Sequence, residues 1–390
     1  MKRIKSILFI IFCALVVRGN TQSSTDTIWS YQILTKIQAL QQTNTGFPPG
    51  IFPSTRVYAY NKNNSKNDPN VFFTGLIVHT LKKYQKQCTP YQQGLIQQIV
   101  KDGLSSVGLF KNKSGRDTYN FWRTDTPQIF PNAGWLNKFD KSQSLPDDFD
   151  DSVILLWAQE VTKERAAVVH DTMQLYANTK VKSIKNSLPT FKNLPAYSTW
   201  FGKKMPIDFD MAVLCNVLSF VNAYDLQWTA SDSASLQLIT TAIDNKWHVT
   251  KADFIAPHYA KPAVIMYHIA RLLTAGNQQN IQTLIALKPI LLKQTDSLLA
   301  NSKDPLENVL LSSASVQFGG ISNITSQTPD QAAIEQSKYP FFIANMASML
   351  PNPVKRPLSK IGIAKFEYRC PAYNLALLWE NRYLCVPLHK

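Results

Sequence analysis

Two segments of the chain place several carboxylates directly before an apolar run. The carboxylates of the segments 146–155 and 206–215 are Asp147, Asp148, Asp150, Asp151, Asp208 and Asp210. Four acids crowded into the first segment repel one another, which raises the pKa of at least one of them and keeps a proton for acid catalysis. The alternative is helix capping, in which aspartate accepts hydrogen bonds from the first free amides of a helix.

The elements that must position these acids are helices, because apolar residues recur at spacings of three and four. The predicted helices cover residues 26–42, 71–83, 91–101, 148–162, 163–178, 207–224, 231–245, 261–274, 280–301, 330–349 and 371–382. The fold class is therefore predicted to be all-α. Long, aromatic-containing segments between the helices are predicted to be irregular and functional. These segments are 43–70, 105–146, 183–206 and 312–328.

Some helices are apolar on nearly all faces and others have a polar side. The first kind comprises residues 71–79, 153–157, 212–221 and 263–273. Helices of this kind are buried, whereas 163–178 and 280–301 are amphipathic. Because the two kinds alternate, the pattern predicts helical hairpins arranged in a ring with an inner and an outer layer. No linker composition interrupts the pattern, so residues 20–390 are predicted to form one domain.

The N-terminus has the pattern of a secretory signal peptide. Met1, Lys2, Arg3 and Lys5 precede an apolar stretch over 7–17, which is short for a membrane span. Cleavage is expected after Gly19, with a retained anchor as the alternative. The protein is therefore predicted to be secreted or periplasmic.

Cysteines are few. In an oxidising compartment, Cys370 and Cys385 are predicted to form a disulfide, because they bracket the last apolar segment. Cys215, in the middle of a predicted helix, is expected to be a buried thiol.

The chain is basic, with a formal net charge of +15. The lysines are spread along the chain, which favours a solvated basic face over a nucleic-acid site. The expected partner is a small hydrophobic molecule or a glycan, with an anionic membrane surface kept as an alternative.

The residues 148–152, Asp-Phe-Asp-Asp-Ser, resemble the D-x-D-D-[T/S] motif of class II terpene cyclases of the squalene-hopene cyclase type. These enzymes belong to the α/α-toroid superfamily of terpenoid cyclases and protein prenyltransferases. The resemblance implies an α/α-toroid and makes Asp150 the general acid that protonates an alkene or epoxide. It makes Asp148 and Asp151 the flanking carboxylates. Aromatic side chains near the motif are expected to stabilise cations, the candidates being Tyr119, Phe121, Trp122, Trp135 and Trp157.

Two other classes of function remain open. A secreted glycoside hydrolase or polysaccharide lyase of toroid type would use Asp150 and Asp210 as a carboxylate pair, about 6.5–9.5 Å apart in an inverting enzyme. Trp122, Arg123 and Trp135 would then bind sugar rings. A non-catalytic scaffold for a glycan or lipid would use the aspartates as caps or as Ca²⁺ ligands. No cofactor is predicted, with Ca²⁺ as the alternative.

Polar residues within or beside the apolar helices are further binding candidates, because a buried polar group is unfavourable unless it is paired. The candidates are Asn216, Tyr259, Tyr267, His268 and Arg271. A position at the ring centre is the functional interpretation, and a satisfied core histidine and a snorkelling arginine are the structural alternatives for His268 and Arg271. His79, His170 and His248 are expected to be structural.

Overall fold

The computed structural model describes residues 24–42, 46–125, 145–180, 182–202, 205–321, 330–362 and 365–385. Within these ranges the chain is mostly helical with one small sheet. The predicted signal peptide at 1–19 and the candidate Trp135 lie outside the described residues.

The helices follow the predicted segments closely in the first two thirds of the chain. In chain order they are α1 (Ser24–Gln42), α2 (Phe72–Tyr84), α3 (Pro90–Ser105), α4 (Phe149–Ala158), α5 (Lys163–Gln174), α6 (Met211–Ala223), α7 (Ala230–Asp244), α8 (Trp247–Thr250), α9 (Ala252–Ile255), α10 (Pro262–Leu272), α11 (Gln282–Ile285), α12 (Lys288–Asn301), α13 (Pro305–Phe318), α14 (Gln331–Glu335), α15 (Asn352–Ile361) and α16 (Pro371–Cys385).

Six of these helices form a series in which each helix contacts the next. Helix α2 packs against α4, α4 against α6, α6 against α10, α10 against α13, α13 against α16, and α16 against α2. The predicted burial of the all-round apolar helices is confirmed, since α4, α6 and α10 are buried over nearly their whole length and α2 over most of it. Other helices pack against members of this set, with α3 on α2, α7 on α6 and α12 on α13.

The small sheet was not predicted. Its strands are β1 (Thr55–Tyr58), β2 (Ser65–Asn67), β3 (Phe342–Asn345) and β4 (Lys365–Arg369). They are antiparallel in the order β2-β1-β4-β3. The sheet therefore joins a segment near the start of the described chain to one near its end.

Two predictions about the last third of the chain were wrong. The helix predicted over 330–349 is limited to α14, because Pro340 disfavours helical backbone at the residue before it and the following residues form β3. The segment 312–328 was predicted to be irregular, yet α13 runs to Phe318. The start of α13 carries a signal that was overlooked, an Asp304 cap followed by Pro305 at the first helical position.

The predicted disulfide is also wrong. Cys370 and Cys385 are both free and buried. Helix α16 lies between them, and its 15 residues at about 1.5 Å each separate the two by about 22 Å. A disulfide requires Cα atoms within about 7 Å of each other. Cys215 is a buried free thiol, as expected.

In the described ranges no helix is both long and apolar enough to span a membrane.

Candidate functional site

Backbone hydrogen bonds hold the first of the two aspartate-containing segments, residues 146–155, in place. The amide of Asp148 donates to the carbonyl of Tyr119 at 3.2 Å, and the amide of Phe149 donates to the carbonyl of Thr199 at 2.9 Å. Asp148 has extended backbone and caps α4, its Oδ1 accepting from the amide of Asp151 at 2.7 Å. The capping interpretation is therefore correct for this residue. The same hydrogen bonds fix the first turn of α4, which carries Asp150 and Asp151.

Asp150 is held by two side chains from other elements. Its Oδ1 accepts from Nδ2 of Asn216 on α6 at 2.7 Å, and its Oδ2 accepts from the hydroxyl of Tyr259, which precedes α10. Burial raises the pKa of Asp150, although the two donors act against the rise. Both donors stabilise the ionised carboxylate, whereas burial favours the protonated carboxyl.

Asp148 and Asp151 form a close carboxyl pair. Burial raises the pKa of Asp148 to about 7. Burial and the neighbouring Asp148 together raise the pKa of Asp151 well above its ordinary value. No donor among the described residues reaches Oδ1 of Asp151, although this atom is buried. Both shifts favour a protonated carboxyl at one or other member of the pair.

Asp147 has a different environment. Its carboxylate accepts from Asn112 and Thr118 and forms an ion pair with Arg116 at 3.2 Å. These contacts anchor the loop that precedes α4.

The second acid segment lies beside the first. Asp210 caps α6, accepting from the amides of Ala212 and Val213 at 2.9 and 3.3 Å with Oδ1. Its Oδ2 accepts from the amide of His258 at 2.8 Å. Burial raises the pKa of Asp210 to about 6. The capping interpretation is correct here too.

Asp208 and His258 form an ion pair that the sequence did not predict. Oδ2 of Asp208 lies 3.6 Å from Nε2 of His258 and accepts from Oγ of Ser348 at 2.7 Å. Burial alone would raise the pKa of Asp208, but His258, Lys355 and Ser348 outweigh it and the pKa is lowered. Burial alone would lower the pKa of His258, but Asp208 and Asp210 outweigh it and the pKa is raised.

Two neighbouring cavities open onto these acids. The smaller has a volume of about 30 Å³ and is lined by Phe72, Phe121, Asp148, Asp150, Asp151, Thr199, Trp200, Val213, His258 and Phe342. The larger, of about 40 Å³, is lined by Phe121, Trp122, Leu145, Asp148, Trp200, His258, Phe342, Ala344, Asn345, Met346, Ser348 and Tyr368. They share five residues and together form what we call the acid cavity. Its wall includes six aromatic side chains, which are Phe72, Phe121, Trp122, Trp200, Phe342 and Tyr368.

The other predicted binding residues divide into two groups. Asn216 and Tyr259 contact Asp150, and Trp122 lines the acid cavity with its Nε1 donating to Asp68 at 2.7 Å. The second group has other partners. The hydroxyl of Tyr119 forms a hydrogen bond with Gln159, and Arg123 forms an ion pair with Asp125 near the surface. Tyr267 donates to Glu380, His268 forms a hydrogen bond with the carbonyl of Val264, and Trp157 and Arg271 line a different cavity.

No group of three or more His, Cys, Asp or Glu residues in the described ranges is placed to hold a metal ion. The aspartates of the acid cavity have backbone and side-chain donors as partners, as described above.

The raised pKa of Asp148 predicts a pH-dependent stability. Its pKa is 3.8 in the reference state and about 7 in the fold, so the folded protein binds more protons between these values. The free energy of unfolding therefore falls as pH rises from about 4 to 7, by up to about 1.4 kcal/mol per pH unit. Urea unfolding should show a steeper fall in the wild type than in Asp148→Asn, which keeps a capping oxygen. The raised pKa values of Asp150, Asp151 and Asp210 leave part of the fall in the variant. Equal slopes would contradict the assignment.

No family model, curated protein or solved structure matches the chain.

Proposed function

We propose that the six contacting helices are the inner layer of an α/α-toroid. Two observations support this arrangement. The contacts close on themselves from α16 back to α2, and α3, α7 and α12 each pack against a member of the cycle. Helices α2 and α4 contribute early residues to the acid cavity, Phe72 and Asp150, and late residues, His79 and Trp157, to a second cavity. The two helices therefore run in the same direction, as inner helices of successive hairpins must.

We propose that the protein is an acid-catalysed enzyme acting on a small hydrophobic molecule with an alkene or epoxide group. The observation that carries this proposal is that Asp148, Asp150 and Asp151 line one aromatic-walled cavity while nearly buried. Buried carboxyls keep protons near neutral pH.

Asp150 is the proposed proton donor. Before the reaction, burial favours its protonated form. On transfer to an alkene carbon or epoxide oxygen, Asp150 becomes a carboxylate, and the hydrogen bonds from Asn216 and Tyr259 stabilise that charge. Asp148 and Asp151 share a further proton, which limits the negative charge of the cluster. The substrate cation is quenched by loss of a proton or by addition of water.

The aromatic wall suits the cation that such a proton transfer produces. Phe72, Phe121, Trp200 and Phe342 all line the same cavity as Asp150. The face of an aromatic ring attracts a cation, and more strongly when water is excluded. This wall is the feature that favours a hydrocarbon over a glycan substrate.

The hydrogen bond from Tyr259 allows a direct test of the proposal. The assay uses an acyclic isoprenoid alkene and its terminal epoxide, with gas chromatography of the products, and an oligosaccharide panel as the competing substrate class. Tyr259→Phe removes a donor that stabilises the Asp150 carboxylate, so the pKa of Asp150 rises further. The alkaline limb of the pH–rate profile should move to higher pH and the maximal rate should fall.

Tyr339→Phe, which removes a hydroxyl that bonds Glu307 at 3.0 Å outside the acid cavity, is the matched control and should leave the profile unchanged. Conversion of oligosaccharides but not of isoprenoids, or an unmoved alkaline limb in Tyr259→Phe, would contradict the proposal.

A further inference from the structure

Helix α15 turns its apolar face to solvent. Its apolar residues recur at spacings of three and four, which places them on one side of the helix. They are Pro353, Val354, Pro357, Leu358 and Ile361. All five are exposed or half-buried, with 46% of Val354 and 51% of Ile361 accessible. An amphipathic helix of a globular protein ordinarily packs such a face against the core, so the exposure of this face requires an explanation.

The side of α15 that faces the protein is polar. Lys355 is only 2% exposed, and its Nζ donates to the carbonyl of Asn186 at 3.3 Å and lies 4.5 Å from the centre of the Phe254 ring. Nδ2 of Asn352 donates to the carbonyl of Ser187 at 2.8 Å. These contacts fix the rotation of the helix about its axis, and they hold the apolar face outward.

The loop that α15 contacts is basic. Asn186 and Ser187 belong to the segment 180–192, which has no Asp or Glu and contains Lys180, Lys182, Lys185 and Lys192. All four lysines are exposed. Lys182 donates to the carbonyl of Met205 at 3.1 Å, but among the described residues no carboxylate forms an ion pair with any of the four. We call them the loop lysines. Their positive charge is therefore left uncompensated beside the apolar face of α15.

The exposed apolar surface continues onto the hairpin of β1 and β2. Gly362, which ends α15, lies against the backbone of Ala59 and Tyr60. The side chain of Tyr60 is largely exposed, and so is that of Lys66 on β2. Tyrosine is enriched where proteins meet the lipid–water interface, because its ring is apolar and its hydroxyl is polar.

The chemistry of this surface favours a lipid bilayer over a protein partner. Lysine is depleted from protein–protein interfaces, whereas apolar helix faces with lysines beside them bind at anionic membrane surfaces. The formal net charge of +15 adds a long-range attraction to such a surface. Helix α15 has 10 residues and is about 15 Å long, about half the thickness of a bilayer core, so it would lie on the membrane and not across it.

We propose that α15 docks the protein on an anionic lipid surface. Val354, Leu358 and Ile361 enter the headgroup region, and the loop lysines pair with the lipid phosphates. The inference is independent of the acid cavity and of its chemistry. The competing explanations are an acidic glycan that binds the loop lysines alone, and attraction through the net charge alone.

Sedimentation of the purified protein with lipid vesicles tests the proposal. One set of vesicles contains equal amounts of phosphatidylglycerol and phosphatidylcholine, and the other contains phosphatidylcholine only. The wild type should bind the anionic vesicles at least about tenfold more tightly, because each lysine near an anionic surface strengthens binding by about fivefold. Binding should weaken as the salt concentration rises, since salt screens exposed charges.

The apolar face is tested by the double variant Val354→Ser with Ile361→Ser. It should weaken binding to the anionic vesicles by about tenfold or more, because two side chains that enter the interface lose their apolar surface. Ile290→Ser is the matched control, since Ile290 on α12 is as exposed as Val354, and it should bind as the wild type does. The three substituted side chains are exposed, so the fold should be retained.

The loop lysines are tested by the triple variant Lys180→Gln, Lys185→Gln and Lys192→Gln. It should also weaken binding to the anionic vesicles by about tenfold or more. The matched control removes the same charge from exposed lysines on other parts of the chain, with Lys101→Gln, Lys293→Gln and Lys303→Gln. This control should weaken binding much less than the loop variant.

Three results would overturn the proposal. The first is a wild type that does not bind the anionic vesicles at low salt. The second is a loss of binding in the lysine variants, equal for the loop and the control sets, with none in the apolar variant, which would leave only attraction through the net charge. The third is binding to soluble polygalacturonate and not to vesicles, which would assign the loop lysines to an acidic glycan.

Discussion

Replacing Asp150 with Asn is expected to lower turnover of the isoprenoid substrate by about 10²- to 10⁴-fold. The amide has the same shape as the carboxyl but no acidic proton. It can keep a hydrogen bond with Asn216 and one with Tyr259, the partners that position Asp150 in the first turn of α4. The free energy of unfolding should therefore change by no more than about 1 kcal/mol.

Two further substitutions test whether the loss of activity is specific to Asp150. Asp225→Asn, at an exposed carboxylate paired with Lys163, is the matched control and should keep full activity. Asp151→Asn should lower activity less than Asp150→Asn, because Asp151 holds a shared proton and does not deliver it. Full activity in Asp150→Asn would end the acid-catalysis proposal, and loss of activity only in Asp151→Asn would move the donor role to Asp151.

Replacing Asp210 with Ala is expected to cause the largest loss of stability among the site variants. The change removes the cap of α6, which contributes about 0.5–2 kcal/mol. It also leaves the buried amide of His258 without its acceptor, which costs about 1–3 kcal/mol more. Thermal or urea unfolding should show the sum of the two losses.

Asp210→Asn separates these contributions. Asparagine keeps a capping oxygen for the amides of Ala212 and Val213, but its amide group replaces the oxygen that accepts from His258. Its stability should lie between those of the wild type and Asp210→Ala. If Asp210→Ala has the same free energy of unfolding as the wild type, neither the cap nor the hydrogen bond from His258 stabilises the fold.

Local sequence signals were sufficient to predict the elements that carry the site. The apolar runs of α4 and α6 are buried as expected, and Asp148 and Asp210 cap them. Asn216 and Tyr259 were predicted only as binding candidates, and their position beside the acids was not. Both contact Asp150 directly.

Contacts between distant segments could not be predicted in the same way. The pairing of Asp208 with His258 joins residues on different elements, and nothing in either local sequence specifies the other. The partner of Tyr267 depends likewise on where Glu380 lies. The strands β3 and β4 form because β1 is available for pairing with β4, which periodicity within one segment does not reveal.

The central claim is that the acid cavity holds a protonated carboxyl at neutral pH. Infrared spectroscopy measures this directly, because the carbonyl band of a protonated carboxyl is separate from the bands of a carboxylate. The wild type should show the protonated band at pH 7, weakened in Asp150→Asn and in Asp151→Asn and unchanged in Asp225→Asn. A wild type with every carboxyl ionised at pH 7 would contradict the account.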